Sequence, residues 1–158
     1  MMRFPDCPAC RGAEGDPELH RTEVWSDERW RLTTSLSAEV LGFSYLEPRR
    51  HIVAITELDG EEASTLGEVV ARCTSALKDA TGAEQVYVYV FGSGIPHLHF
   101  LLAPHRQGDA LSDWMFKGDA VETTLPNGAV LVSSAQYPPL PEGDLRDTAE
   151  LVRRMLGS

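Results

Sequence analysis

Two histidines in an otherwise apolar run constrain this chain more than any other feature. His97 and His99 lie in Ile-Pro-His-Leu-His-Phe-Leu-Leu, residues 95–102. Side chains alternate faces along a strand, so a strand here places both imidazoles on one face, with Cα atoms about 7 Å apart. Two imidazoles on an apolar strand are costly to bury without partners. The segment therefore predicts polar partners on that face, and a purely structural origin is the weaker interpretation.

Segments with strand character lie on either side of one helical segment. Residues 85–91, Gln-Val-Tyr-Val-Tyr-Val-Phe, are rich in β-branched and aromatic residues, and residues 92–94, Gly-Ser-Gly, form a turn. Pro48 interrupts any ladder after the third segment. The predicted strands are 20–25, 29–35, 42–47, 85–91 and 97–103.

The helix is predicted over residues 60–81. Asp59 is a suitable N-cap, with Glu62 as its reciprocal partner, and Gly82 ends the helix. Apolar residues recur at helical spacing and form one stripe: Leu66, Val69, Val70, Cys73 and Leu77. Cys73 lies on this stripe, so we expect a buried hydrophobic side chain rather than a ligand.

The last third of the chain carries weaker signals. Residues 109–117 suit a short helix, 129–132 a strand and 143–156 a closing helix. Strands dominate the first half, one helix divides them, and there is no regular βαβ alternation. The pattern predicts an α+β fold with an antiparallel sheet, in a single domain over residues 1–158.

Charge and composition narrow the function classes. The formal net charge is -10, which opposes tight, nonspecific binding to DNA or RNA but leaves small nucleotides possible. No apolar run approaches the roughly 20 residues of a membrane-spanning helix, and the first ten residues lack the apolar stretch of a signal peptide. We therefore expect a cytoplasmic protein that acts without a membrane.

The first cysteines form a CxxC motif, Cys7-Pro8-Ala9-Cys10. Two thiolates at this spacing can share one tetrahedral metal, and two further ligands must come from elsewhere. A redox motif is the alternative, but it needs a CxxC that opens a helix after a strand, which lowers the thiol pKa. This motif lies in an irregular, proline-containing segment, so metal binding is the favoured interpretation.

Several motifs together resemble the histidine triad (HIT-like) superfamily. Residues 96–102, Pro-His-Leu-His-Phe-Leu-Leu, are similar to its signature of three histidines that alternate with apolar residues. Residues 48–51, Pro-Arg-Arg-His, resemble the segment before the long helix of these proteins, and residues 55–62 resemble the start of that helix. The resemblance covers about residues 5–104 and leaves 105–158 as a C-terminal extension. It implies a HIT-like fold with a sheet of about five strands, a long helix and a C-terminal helix.

The resemblance also implies a zinc site. In zinc-containing members the CxxC, the histidine of the Pro-Arg-Arg-His segment and the first histidine of the triad hold the metal. Carried over, these ligands are Cys7, Cys10, His51 and His97. Two sulfur and two nitrogen ligands make the closed tetrahedron expected of a structural Zn²⁺ site.

For function, the resemblance implies nucleotide chemistry at His99. In catalytic members the middle histidine attacks the α-phosphorus of a nucleotide and forms a nucleotidyl-histidine intermediate. Ser93 and the backbone N–H groups around Gly94 are candidates to bind the phosphates. His105, just after the predicted strand, is a further candidate, although a solvated loop position is the more common role for such a residue. The family also implies a homodimer.

The third triad position departs from the pattern, because it is Leu101 rather than histidine. Leucine cannot donate a hydrogen bond, and loss of one transition-state donor commonly costs about 100- to 1000-fold in rate. Two functions follow. One is a nucleotidyl hydrolase or transferase that acts through His99. The alternative is a catalytically weak or inactive, zinc-containing nucleotide-binding protein.

Overall fold

The computed structural model describes residues 7–90, 92, 94–111 and 118–157. These residues form seven strands and two helices, in the order β1 (Arg21–Ser26), β2 (Trp30–Ser35), β3 (Ser44–Pro48), α1 (Gly60–Thr81), β4 (Gln85–Tyr89), β5 (Phe100–His105), β6 (Ala120–Thr124), β7 (Val130–Ser134) and α2 (Glu142–Gly157). Short 3-10 turns lie at Gly12–Glu14, Pro17–Leu19 and Ile55–Glu57. None of the described helices is long and apolar enough to cross a membrane.

The first five strands make one antiparallel sheet in the order β1-β2-β3-β5-β4. This arrangement confirms the predicted α+β class and the five-stranded sheet. Strand β5 begins at Phe100, three residues later than predicted, so the two site histidines precede the strand. Proline has no N–H to give to a strand ladder. Pro96 directly precedes His97, and Pro48 ends the neighbouring strand β3. Leu98 instead donates its N–H to the carbonyl of Ile52, at 2.7 Å.

Helix α1 has the predicted bounds. The Asp59 carboxylate accepts the N–H of Gly60 at 2.8 Å, and Gly82 ends the helix in the left-handed conformation, at φ 69°. Glu62 does not reach back to the cap as predicted, because its carboxylate binds the guanidinium of Arg50 at 2.6 Å. That pair ties the segment after β3 to the first turn of α1.

Both helices pack on one face of the sheet and form an apolar core with it. The stripe of α1 faces the sheet as predicted, and Cys73 and Leu77 are fully buried there. Helix α2 adds Ala149 and Val152 to the same cluster, which explains why the closing segment is helical and amphipathic.

The opposite face of the sheet is polar, and the N-terminal segment covers part of it. Buried side chains there include Arg21, Arg31 and Glu47 from three neighbouring strands, joined by Asp16 of the N-terminal segment. The site histidines lie at one end of this face.

Residues 105–158 form more structure than the sequence predicts. Helix α2 confirms the predicted closing helix, and β7 matches the predicted strand at 129–132. Its partner β6 was not predicted, because Ala120–Thr124 carries no apolar alternation that would mark a buried face, and all five residues are exposed. Within the predicted helix at 109–117, residues 109–111 are not helical, and residues 112–117 lie outside the described part.

Candidate metal centre and nucleophile

The structure brings together two cysteines and two histidines that are far apart in sequence. Cys10 Sγ lies 3.1 Å from His51 Nδ1 and 3.5 Å from His97 Nδ1, and Cys7 Sγ lies 3.6 Å from His97 Nδ1. All four ligand atoms lie within 4.8 Å of one another. This set of residues can hold a metal ion.

The spacing fits one tetrahedral ion. Zinc–sulfur bonds of about 2.3 Å and zinc–nitrogen bonds of about 2.0 Å place neighbouring ligand atoms roughly 3.3–3.8 Å apart. The three observed sulfur–nitrogen distances, 3.1, 3.5 and 3.6 Å, lie in or near this range. Each of the four side chains offers one ligand atom, so the cluster can supply a closed four-ligand set.

Hydrogen bonding prepares His97 for this role. Its Nε2 lies 2.6 Å from the carbonyl oxygen of Pro48, which can only accept, so Nε2 carries the proton. The unprotonated Nδ1 then faces the two thiols. Burial lowers the pKa of His97, which keeps the ring neutral, as a metal ligand must be.

The CxxC forms a tight turn rather than the start of an α-helix. The N–H of Cys10 donates to the carbonyl of Cys7 at 3.1 Å. Burial raises the pKa of the Cys7 thiol to about 11. A reactive redox cysteine has a lowered pKa instead, so the environment of Cys7 opposes the redox alternative.

His99 lies beside the cluster but does not join it. Its Nδ1 lies 2.8 Å from the carbonyl oxygen of His97, which fixes the proton on Nδ1. Nε2 of the neutral ring is therefore an unprotonated nitrogen with an available lone pair. The ring of Tyr45 packs against His99, with 6.2 Å between centroids. The arrangement provides an oriented nucleophile or base.

The third triad position lies between two tyrosines. Leu101 pairs with Tyr45 on β3 and with Tyr89 on β4, so both phenols flank it on one face. Burial is the main cause that raises the pKa of each phenol, and both stay neutral in the physiological range. Leu101 itself offers no donor at this position.

The three residues predicted to bind phosphate have different positions relative to the site. Gly94 lies in the turn before the site histidines at φ 88°, a conformation that favours glycine. Ser93 lies outside the described residues. His105 is six residues beyond His99, about 20 Å along the strand, and its Nδ1 lies 2.9 Å from a carboxylate oxygen of Asp109. The structure therefore does not bring His105 together with His99.

A buried charge network next to the cysteine–histidine cluster was not predicted from the sequence. Arg21 binds Glu47 through two nitrogens, at 2.8 and 3.2 Å, and Arg31 binds the same carboxylate at 3.3 Å. Asp16 pairs with both guanidinium groups. Charged residues at positions 21 and 31, within predicted strands, were a visible signal of this network. Charged side chains in strands usually face solvent, however. Because Glu47 precedes Pro48, the network holds the backbone that orients His97.

His99 is nearly enclosed in the described structure, with 8% of its surface exposed. Two sizeable cavities open elsewhere on the described part. One, of about 430 Å³, is bordered by His105 and by residues 137–141; the other, of about 470 Å³, is bordered by Asp16 and His20. Neither is lined by His99.

Solved structures resemble this fold over most of its length. A histidine triad protein from Bradyrhizobium japonicum is 19% identical, with a TM-score of 0.66 over 89% of this chain and 93% of that one. A zinc-bound histidine triad family protein from Mycobacterium smegmatis is 18% identical, with a TM-score of 0.64 over 96% and 93%. A hypothetical histidine triad nucleotide-binding protein from Sulfolobus tokodaii is 19% identical, with a TM-score of 0.65 over 96% and 92%.

These likenesses show that the chain has the histidine triad fold, which confirms the resemblance at the level of the fold. The likeness extends beyond residues 5–104, since 96% coverage reaches well into the C-terminal extension. No protein-family model matches the sequence, and no curated protein matches it.

Proposed function

We propose that this protein is a nucleotidyl hydrolase or transferase with His99 as its nucleophile. The observation that carries the proposal is the hydrogen bond from His99 Nδ1 to the carbonyl of His97, because it leaves Nε2 unprotonated and fixed in orientation. The substrate is a nucleotide with an activated α-phosphate, such as a dinucleoside polyphosphate, a nucleoside phosphoramidate or a nucleotide sugar.

In the first step, the lone pair of His99 Nε2 forms a bond to the α-phosphorus, and the bond from phosphorus to the leaving group breaks. The ring keeps its Nδ1 proton, and the carbonyl of His97 stabilises the positive charge that develops on it. In the second step, water or a second phosphate attacks the same phosphorus, and the bond to Nε2 breaks. The nucleotide leaves and His99 returns to its neutral form.

We propose zinc as the metal held by Cys7, Cys10, His51 and His97, since two thiolates and two imidazoles are a typical zinc set. When bound, zinc supplies structural support rather than a reactive water, because protein ligands fill all four positions. Its ligands link the N-terminal segment to the backbone next to His99. A reducing cytoplasmic compartment, which we also propose, keeps both cysteines available as ligands.

Substrate contacts are proposed at the turn before the site histidines. Backbone N–H groups around Gly94, together with Ser93, are suited to bind phosphate oxygens. A contact from His105 stays a prediction, and its distance along β5 restricts it to a part of the substrate far from the α-phosphate. We further propose a homodimer, for which light scattering of the purified protein is the direct measurement.

The test is turnover on adenosine phosphoramidate, diadenosine polyphosphates and a nucleotide sugar, with His99→Asn as the variant. His20→Asn is the matched control, because His20 is exposed and has φ 53°, a conformation that asparagine tolerates. We expect His99→Asn to lose at least about 1000-fold in kcat and His20→Asn to keep the wild-type rate. Equal rates for wild type and His99→Asn would rule out the covalent mechanism.

The second candidate function is a nucleotide-binding protein with little or no turnover. Leu101 favours it, because the fold then lacks one donor to the phosphate. Nucleotide binding by calorimetry without turnover of any substrate would support this candidate. Leu101→His then tests whether the missing donor is the cause of the low turnover. If His99 is otherwise competent, restoring the donor should raise turnover by about 10-fold or more.

A further inference from the structure

The C-terminal hairpin, formed by β6 and β7 with the turn at 125–129, lies on the same side of the sheet as His99. The other side is occupied by α1 and α2. Three hydrogen bonds attach the hairpin to the polar side. Val130 donates its N–H to the carbonyl of Gly94 at 3.1 Å, Asn127 donates to the Glu18 carboxylate at 3.1 Å, and Ser134 donates its N–H to Glu39 at 3.0 Å.

Each of the three attachment points lies on a segment connected to the site. Gly94 lies five residues before His99. Glu18 binds Arg11, which directly follows the metal ligand Cys10. Glu39 lies in the segment between β2 and β3, and β3 carries Tyr45, whose ring packs on His99. The hairpin is therefore attached to three segments that lead to the site or pack near it.

The turn of the hairpin packs against the rest of the protein. Ala129 is only 2% exposed, although it lies in a turn between the exposed strand β6 and the partly exposed strand β7. The backbone contact at Gly94 is close, because a Cβ there would lie 2.9 Å from the carbonyl oxygen of Val130. The turn thus occupies space next to the loop that leads to the site histidines.

The hairpin has few buried contacts, as expected of an element that opens locally. All five residues of β6 are exposed, and none of β7 is fully buried. Its links to the rest of the described structure include those three polar contacts and the small side chain of Ala129. Segments with few buried apolar contacts open at much lower free energy than a packed core.

From these observations we propose that the hairpin is a cover over the His99 site, and that residues 125–130 must lift before a substrate reaches the imidazole. The functional meaning of the cover rests on the proposed role of His99, whereas the cover itself does not. In the closed form His99 is nearly enclosed, and opening breaks the contacts at Gly94, Glu18 and Glu39. Substrate entry is then limited by the fraction of molecules that are open.

The test measures access to His99 directly, without enzyme activity. Diethyl pyrocarbonate acylates unprotonated imidazole nitrogen, and mass spectrometry of the metal-loaded protein follows each histidine separately. In the wild type we expect His99 to react at least about 10-fold more slowly than His20, which is exposed. Asn127→Ala and Glu39→Ala each remove one attachment, and each should speed the reaction at His99 by about 3- to 10-fold.

Gln136→Ala is the matched control. Its side-chain amide binds Asp119 at 2.9 Å, so it joins the two ends of the hairpin to each other. We expect no change at His99 in this variant, and the reaction at His20 should be unchanged in all of them. Circular dichroism confirms that each variant is folded. If Asn127→Ala/Glu39→Ala is folded and His99 reacts at the wild-type rate, the cover is overturned.

Turnover separates this proposal from the proposed function. Faster acylation of His99 in the double variant together with a higher kcat/KM supports both. Faster acylation with no turnover on any substrate supports the cover and overturns the enzyme. Unchanged acylation, with turnover that His99→Asn abolishes, overturns the cover and leaves the enzyme in place.

Discussion

The two faces of the five-stranded sheet are both buried, but by different means. One face packs Leu32, Leu46 and Phe100 against α1 and α2 in a continuous apolar core. The other is buried by ion pairs, by the cysteine–histidine cluster and by the hairpin. Apolar packing is tolerant of small changes, whereas a buried charge or ligand requires all its partners. The polar face should therefore be the more sensitive one to single polar substitutions.

Loss of the metal should have the largest effect on the polar face. Cys10→Ser removes a ligand, and a metal present at 1000 times its dissociation constant stabilises the folded state by about 4 kcal/mol. We expect the variant to lose the metal and its thermal unfolding midpoint to fall by several degrees. Metal analysis and thermal unfolding check both effects.

Cys73→Ala is the control for this variant, since Cys73 belongs to the apolar core and not to the cluster. It should keep one metal per chain. If Cys10→Ser also keeps a full equivalent of metal, the four residues are not the ligand set.

The ion network provides the next largest effect. Glu47 is 2% exposed and bound to two arginines, so Glu47→Gln leaves Arg21 with Asp16 alone and Arg31 with Asp16 and the partly exposed Glu23. Because each arginine keeps a carboxylate partner, the cost should lie at the lower end for a broken buried pair, about 3 kcal/mol. Urea unfolding measures it, and Glu23→Gln is the matched control. The Glu23 side chain is 38% exposed at the edge of the network, and its loss should cost less than about 1 kcal/mol.

The same contrast explains what could be predicted from the sequence. The bounds of α1 and α2, and the stripe that contains Cys73, follow from local periodicity and end signals. The five sheet strands were predicted for the same reason. Strand β6 was missed because its exposed residues show no apolar alternation. The start of β5 was misplaced because Pro96 and Pro48 alter pairing there.

The polar face depends on contacts between distant residues, which periodicity does not encode. Cys7 meets His97 across 90 residues of sequence, and Asn127 meets Glu18 across 109. The CxxC spacing indicated two thiol ligands, but His51 and His97 were expected as the other two only through resemblance to a known superfamily. The pairs between Asp16 and the two arginines had no such guide, since charged residues in strands are usually solvated.

On the apolar face, a substitution that creates a cavity should lower the stability of the fold but leave the metal site unchanged. Leu77→Ala removes a fully buried side chain between α1 and the sheet, and should cost about 3 kcal/mol in urea unfolding. The metal content should stay at the wild-type value, because no ligand contacts are changed. Loss of metal in this variant would contradict this expectation and show that the two faces are energetically coupled.

The smallest expected effect is a pH dependence that belongs to the apolar face alone. Burial raises the pKa of Cys73 from 9.0 to about 12. Because the folded state then holds this proton more tightly than the unfolded state, the contribution to stability is full below pH 9 and is lost as pH rises towards 12. At pH 10 the loss is about 1 kcal/mol.

Unfolding in urea at pH 8 and pH 10 measures this loss, and Cys73→Ala serves as the reference in which this thiol is missing. The wild type should lose about 1 kcal/mol more than the variant between the two pH values, after other titrations cancel in the difference. An equal loss in both proteins would mean that Cys73 titrates as a solvated thiol, and that the core around α1 is more open to water than its packing indicates.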